Sequence, residues 1–158
     1  MRKWLALSGL IVVADQATKY AVVQYFAAHK AVAVTSFFNL VLVYNPGAAF
    51  SFLSDAAGWQ RGFFIAIALI ASAWIVYLLY QYPRQRLFAL ALSLVLAGAI
   101  GNVIDRILVG AVVDFLDFHA FGWHWPAFNV ADSAITCGAI LLVWDAFRPA
   151  RAEPPGPR

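Results

Sequence analysis

LFALALSLVLAGAIGNVIDRI, Leu87–Ile107, carries no charge until its last turn, where Asp105 and Arg106 follow Asn102. About 20 apolar residues in a helix cross the roughly 30 Å of hydrocarbon in a bilayer, so the stretch reads as a membrane span. Gly98, Asn102 and Asp105 recur at helical spacing, and Arg106 stands one turn beyond Asn102, which gives the end of the span a polar face. Such a face must turn toward other helices or a water-filled cleft, because lipid cannot satisfy it. One span with an inward polar face requires partner spans.

Three further stretches qualify: Trp4–Tyr20, Gly62–Tyr80 and Phe128–Phe147. The first is slightly short and carries Asp15 near its end. The whole chain, at 158 residues, is 63% hydrophobic and 12% charged, with mean hydropathy +0.76. That composition belongs to an all-α membrane protein of four transmembrane helices and excludes a soluble globular domain. Residues 1–147 form a single membrane domain. The tail 148–158, with AEPPGPR after Arg151, reads as a disordered end.

The cations set the orientation. Arg2, Lys3, Arg84, Arg86, Arg148, Arg151 and Arg158 fall on one side of a four-span arrangement, leaving Lys19, Lys30, Arg61 and Arg106 opposite or at its boundary. Positive residues favour the cytoplasm, so both termini are expected there and the two long connections outside. A cleaved signal peptide over Met1–Ala14 is the competing reading. A retained first span keeps the span number even and the flanking charges consistent. The net charge of +3 follows from topology and calls for no nucleic acid. The lone Cys137 permits no disulfide within the chain and reads as a small packing residue.

The first outer connection holds FFNLVLVYNPGAAFSFL, Phe37–Leu53, rich in β-formers and broken by Asn45-Pro46-Gly47. Pro followed by Gly suits a type II turn, so two short strands are expected around it, forming a small sheet on the membrane surface at about residues 35–55. The second outer connection, about Leu108–Ala127, reads as a loop. It contains Asp114, Asp117, His119 and His124 among aromatics that suit the headgroup level.

Asp114 and Asp132 are the residues hardest to explain as structure. In the fourth span Asn129, Asp132, Ser133 and Thr136 share one face. In the first, Ser8, Asp15, Thr18 and Lys19 align, with Asp15 four residues before Lys19 in the favourable ion-pair order. Ser8, Thr18, Ser133 and Thr136 suit hydrogen bonding between helices. Two carboxylates at a membrane surface cost more to bury than such bonds return. A close pair shares one proton, so one member can activate water while the other polarises an amide carbonyl and protonates the leaving amine. Asp132, in the first turn of a helix, is the expected ionised member. Asp114, near Phe115 and Phe118, is the expected proton holder. Asp105 and Arg106 read as an ion-pair network bracing the site. This chemistry needs no metal and no cofactor.

Rival chemistries lack their motifs. HExxH, Gly-x-Ser-x-Gly and a phosphate-binding Walker loop do not occur. His119 and His124 with Asp114 or Asp117 offer zinc ligands, but their Trp-rich surroundings suit surface histidines better. No base is indicated near Ser51 or Ser133. A small proton-coupled transporter relaying through Asp15, Asp105 and Asp132 is the alternative, although no discontinuous helix pair or inverted repeat supports it.

The patches DQATK (Asp15–Lys19), YNPGAAF (Tyr44–Phe50), GNVIDR (Gly101–Arg106), VVDF (Val112–Phe115) and FNVADS (Phe128–Ser133) stand in one order along the chain. In that order they resemble the bacterial lipoprotein signal peptidases, the signal peptidase II family. The resemblance implies a four-helix aspartic peptidase of the inner membrane, with an extracytoplasmic β-cradle and a loop or helix over the active site. It implies cleavage of prolipoproteins on the amino side of a diacylglyceryl-modified Cys, contact with membrane lipid, inhibition by globomycin and a monomer. It places the catalytic pair on Asp114 and Asp132, and supporting or substrate-binding roles on Asp15, Asn45, Gly47, Asn102, Asp105, Arg106 and Asn129.

Overall fold

The computed structural model of the protein describes residues 1–26, 31–47 and 58–148. Its elements are α1 (Arg2–Phe26), β1 (Ala31–Thr35), β2 (Phe38–Asn45), α2 (Trp59–Gln81), α3 (Arg86–Leu108), β3 (Val112–Ala120), β4 (Trp123–His124) and α4 (Val130–Ala146). The expected spans lie within α1, α2 and α3, and the fourth coincides with α4 after a later start. Three helices, α1, α2 and α3, are long and apolar enough to cross a membrane. At 17 residues α4 is about 26 Å long at 1.5 Å per residue.

Burial is uneven in a way that water alone would not select. α3 is the central helix, with about half of its apolar window buried, against 17% for α1 and α2. Ile75 and Leu79 of α2 pack on Ala89, Leu92 and Leu96 of α3. The opposite side of α2 presents Ile70, Trp74 and Tyr77 outward. α4 lies closest to α3 because small residues line their seam. A Cβ at Gly98 would collide with the Ala131 carbonyl, and one at Gly138 would sit 2.7 Å from the Ala91 carbonyl. Such small contacts let membrane helices pack backbone to backbone. Ser8 of α1 donates to the Ser93 carbonyl of α3 at 2.9 Å, the inter-helix bond expected of it.

A four-stranded antiparallel sheet, in the order β1-β2-β3-β4, covers one end of the helices. The strand expected before Asn45-Pro46-Gly47 is β2, and a hairpin not foreseen joins it to β1 through Ser36-Phe37. The strand expected after Gly47 falls outside the described residues. The second connection is no loop, since Val112–Ala120 forms β3 and pairs along β2. Gly110, at φ 88°, reverses the chain between α3 and β3, and its N–H caps the Asp105 carbonyl at 3.2 Å. Tail residues 149–158 lie outside the described residues.

Candidate active site

The two acids arrive from different kinds of element. β3 places Asp114 opposite Val43 of β2, so Asn45, two residues along the same face, becomes its diagonal neighbour. Asn45 donates Nδ2 to Asp114 Oδ2 at 3.2 Å. The N–H groups of Phe115 and Leu116 both donate to the Phe128 carbonyl, at 3.1 and 2.9 Å, which draws the chain before α4 against β3. The next residue, Asn129, is fully buried at the N-cap of α4. Its Oδ1 accepts the Asp132 backbone N–H at 2.8 Å, and its Nδ2 donates to Asp114 Oδ1 at 2.7 Å. One carboxamide thus caps the helix of one acid and holds the other.

Asn102 serves Asp132 in the same manner, donating Nδ2 to Asp132 Oδ1 at 2.7 Å. Asp114 and Asp132 line one cavity of about 670 Å³. Its polar end also carries Asn45, Gly47, Asn102 and Arg106, and its apolar wall comes from Phe64, Ile67 and Ala68 of α2 and Ile135 of α4. Burial, then the charge of Asp132, push the Asp114 carboxyl up to about 7, against the opposing pull of Asn45, Asn129 and Lys19.

Beneath the pair lies a charged cluster that reaches three helices. Lys19 Nζ is 2.9 Å from Asp15 Oδ2 and 2.7 Å from Asp105 Oδ2, and all three residues are buried. The expected Asp15–Lys19 pair therefore forms, and Asp105 joins it. Arg106, expected in the same network, forms no ion pair among the described residues. Its guanidinium lies over the Phe64 ring and donates to the Gly47 carbonyl at 2.6 Å, tying the end of β2 to α3. Gly47 in turn donates its N–H to Asn45 Oδ1 at 3.0 Å, which bends the chain at Pro46. The fourth residue of the expected turn lies outside the described residues.

Asp15 has a second task that helical spacing could not reveal. Its Oδ1 accepts the Ala131 N–H at 2.8 Å, so an acid of α1 satisfies an open donor in the first turn of α4. Gln16 falls outside the polar stripe of α1, yet its Nε2 donates to Asp105 Oδ1 at 2.9 Å and to the Gly101 carbonyl at 3.2 Å. Its place inside the DQATK patch was the available signal.

Other expectations change. Cys137 and Thr136 are exposed and line the cavity, so neither acts as a buried packing or inter-helix residue. Ser133 bonds within its own helix, to the Asn129 carbonyl at 2.9 Å. His124 Nδ1 lies 2.8 Å from Asp117 Oδ1, and Asn39 donates to Asp117 Oδ2 at 2.8 Å. Burial pushes the Asp117 carboxyl up, but Asn39 and His124 outweigh it and hold the group below the ordinary carboxylate range. Asp117 lies three residues from Asp114 on β3, hence on the opposite face.

The family model described as signal peptidase (SPase) II matches residues 7–148. A lipoprotein signal peptidase of Cupriavidus necator is 57% identical over 148 residues, covering 94% of this chain and 85% of the relative. One from Janthinobacterium sp. is 56% identical, covering 94% and 90%. A solved structure described as a bacterial membrane enzyme, determined in meso at 2.3 Å, superposes with a TM-score of 0.82 at 33% identity, covering 98% of this chain and 95% of that one. A second, at 1.9 Å, gives 0.81 at 34% identity and covers 94% of each. None of these matches supports the transporter reading. A match spanning nearly the whole chain, on a fold that brings a buried and a half-buried carboxylate into one cavity, makes this chain a member of the signal peptidase II family and an aspartic endopeptidase.

Proposed function

We propose that Asp114 and Asp132 are the catalytic pair of a peptidase that cuts prolipoproteins on the amino side of a diacylglyceryl-modified Cys. The observation that carries this reading is the cavity between α2 and α4, where two acids held by amide donors meet an apolar wall. Asp132 takes a proton from water as its oxygen attacks the scissile carbonyl. Protonated Asp114 polarises that carbonyl, then gives its proton to the leaving amine as the C–N bond breaks. The water thus supplies the new carboxyl oxygen, and no covalent enzyme intermediate forms. Asn45, Asn102 and Asn129 orient the acids. Asp15, Asp105, Arg106 and Gly47 hold the elements that carry them.

The protein is a membrane protein of the bacterial inner membrane. The proposed arrangement makes α4 the fourth span, and its outward Ile140, Val143 and Trp144 support that. Arg2, Lys3, Arg84, Arg86 and Arg148 gather at the helix ends remote from the sheet, which supports cytoplasmic termini and an active site near the extracytoplasmic face. The apolar wall suits a signal helix whose lipid-bearing Cys stays at the bilayer edge, and residues 1–147 act as one domain.

The test is cleavage of a diacylglyceryl-modified precursor by the purified protein, with the unlipidated precursor alongside. The wild type should release the signal peptide from the lipidated form only. Asp114→Asn and Asp132→Asn should each lose about 10²- to 10⁴-fold in rate while still binding precursor. Wild-type rates from either variant refute the assignment.

A further inference from the structure

Lys19 is absent from the cavity lining and touches neither acid of the pair, yet its ammonium reaches Asp132 through one residue, Asn102. Nζ is 2.9 Å from Asp15 Oδ2, 2.7 Å from Asp105 Oδ2 and 3.1 Å from Asn102 Oδ1. An ammonium has three donors and no acceptor, so these contacts use every N–H it has. The third is the informative one. A carboxamide presents oxygen on one side and NH₂ on the other, and its two orientations have nearly the same shape. With an obligate donor at Asn102 Oδ1, the NH₂ of Asn102 must face the opposite way, toward Asp132 Oδ1 at 2.7 Å. Reversing the amide would set NH₂ against the ammonium and oxygen against the carboxylate.

On the reading of Asp132 as a catalytic acid, we propose that Lys19 is a positioning residue for the peptidase reaction, fixing the Asn102 carboxamide so that it donates to Asp132. The two asparagines then work as a matched set. The Asp132 backbone N–H fixes the amide of Asn129 toward Asp114, and Lys19 fixes that of Asn102 toward Asp132. The first lock is a helix cap and comes with the fold. The second is a side-chain charge drawn from α1, backed only by the longer 3.4 Å contact from Asn129 Nδ2 to Asn102 Oδ1, and it can be removed separately.

Asp15 and Asp105 explain why a cation rather than a neutral donor occupies this place. Their carboxylates hold Nζ on two sides and leave its third N–H directed at Asn102. The three residues together carry one negative charge. Replacing Lys19 by Met and Asp105 by Asn in the same chain preserves that sum. The carboxamide oxygen introduced by Asp105→Asn can still accept the Val113 N–H, which Asp105 Oδ2 takes at 3.1 Å.

The experiment is a double-mutant cycle on steady-state cleavage of the lipidated precursor. Lys19→Met/Asp105→Asn should lower kcat by about 10- to 100-fold with KM within about twofold, the loss expected for a misdirected hydrogen bond to a charged group. In an Asn102→Ala background the same replacement should cost less than about threefold, because its target is gone. Lys19→Arg, which keeps a charged donor, should recover most of the rate. Additive losses in the cycle, or a fall in KM affinity matched by lost thermal stability with kcat unchanged, would show a purely structural lysine and overturn the proposal. If Lys19→Met/Asp105→Asn does not fold, Lys19→Leu/Asp105→Asn, which likewise leaves no donor at position 19, gives the same decision in the same cycle. Inactivity of Asp132→Asn is the separate control: wild-type rates from that variant sink the catalytic pair itself, whatever Lys19 does.

Discussion

Asn129 Nδ2 lies 2.7 Å from Asp114 Oδ1, and this bond joins the first turn of α4 to the middle of the sheet. Asn129 thus has two duties, capping its helix and orienting an acid, and they can be separated. Ser caps a helix about as well as Asn but has no amide to extend. Asn129→Ser should therefore keep the cap but lose about 1–3 kcal/mol from the buried acceptors it leaves unpaired, and cleave at least about tenfold more slowly, whereas Asn129→Ala loses about 1 kcal/mol besides. Thermal unfolding in detergent and initial cleavage rates read the two effects independently.

The elevated Asp114 group makes the enzyme pH-sensitive in a defined direction. Its folded value of about 7 exceeds its ordinary 3.8, so the folded protein holds this proton more tightly than the unfolded chain. The associated stability is complete below 3.8 and is lost as the pH rises toward about 7. Asp132 works to raise the value, and Lys19 to lower it. As the proposed proton donor, Asp114 should also make kcat fall as the pH rises through about 7. Melting curves of wild type and Asp114→Asn should converge at acid pH and separate above neutrality, with the neutral variant the more stable.

The seam between α3 and α4 tolerates no added bulk. Gly98→Val forces a side chain against the Ala131 carbonyl and Ile135. Overpacking costs about 1–3 kcal/mol even where side chains can move aside, and here the obstacle is backbone. The variant should unfold at lower temperature and lose most of its cleavage, because Ala131 adjoins Asp132. A variant with wild-type melting and rate would refute this close approach.

Asp117 should behave as a structural acid. Its bonds to Asn39 and to the half-exposed His124 anchor the outer edge of the sheet, on the face away from Asp114. Exposed partners contribute little, so Asp117→Asn should cost about 1 kcal/mol or less and leave kcat unchanged. Its depressed carboxyl contributes stability above the ordinary carboxylate range that disappears as the pH falls. Melting of the two proteins across that range, with cleavage rates, checks both statements.

The helices and their polar faces were legible because spacing on a helix is a direct record of which residues share a side. Asn102 and Asp105, or Asn129 and Asp132, needed no partner to be grouped. β3 was harder to read because Val112, Val113, Asp114 and Phe115 are all buried, so both faces of the strand are covered and the alternation that marks a half-buried strand is missing. Contacts between distant segments left no local trace. Asp15 capping α4, Arg106 holding Gly47 and Gln16 joining Asp105 each depend on how helices pack, which periodicity within one helix does not encode. Cys137 departs from expectation for the same reason: it faces a cleft that forms only once α2 and α4 stand apart.

The hydrogen bond from Ala131 to Asp15 spans 116 positions of sequence. A ribosome therefore delivers the first helix with its carboxylate waiting, and the matching amide emerges only after every other described helix has been made. On the proposed assignment, hydrolytic power should appear only as a late consequence of assembly.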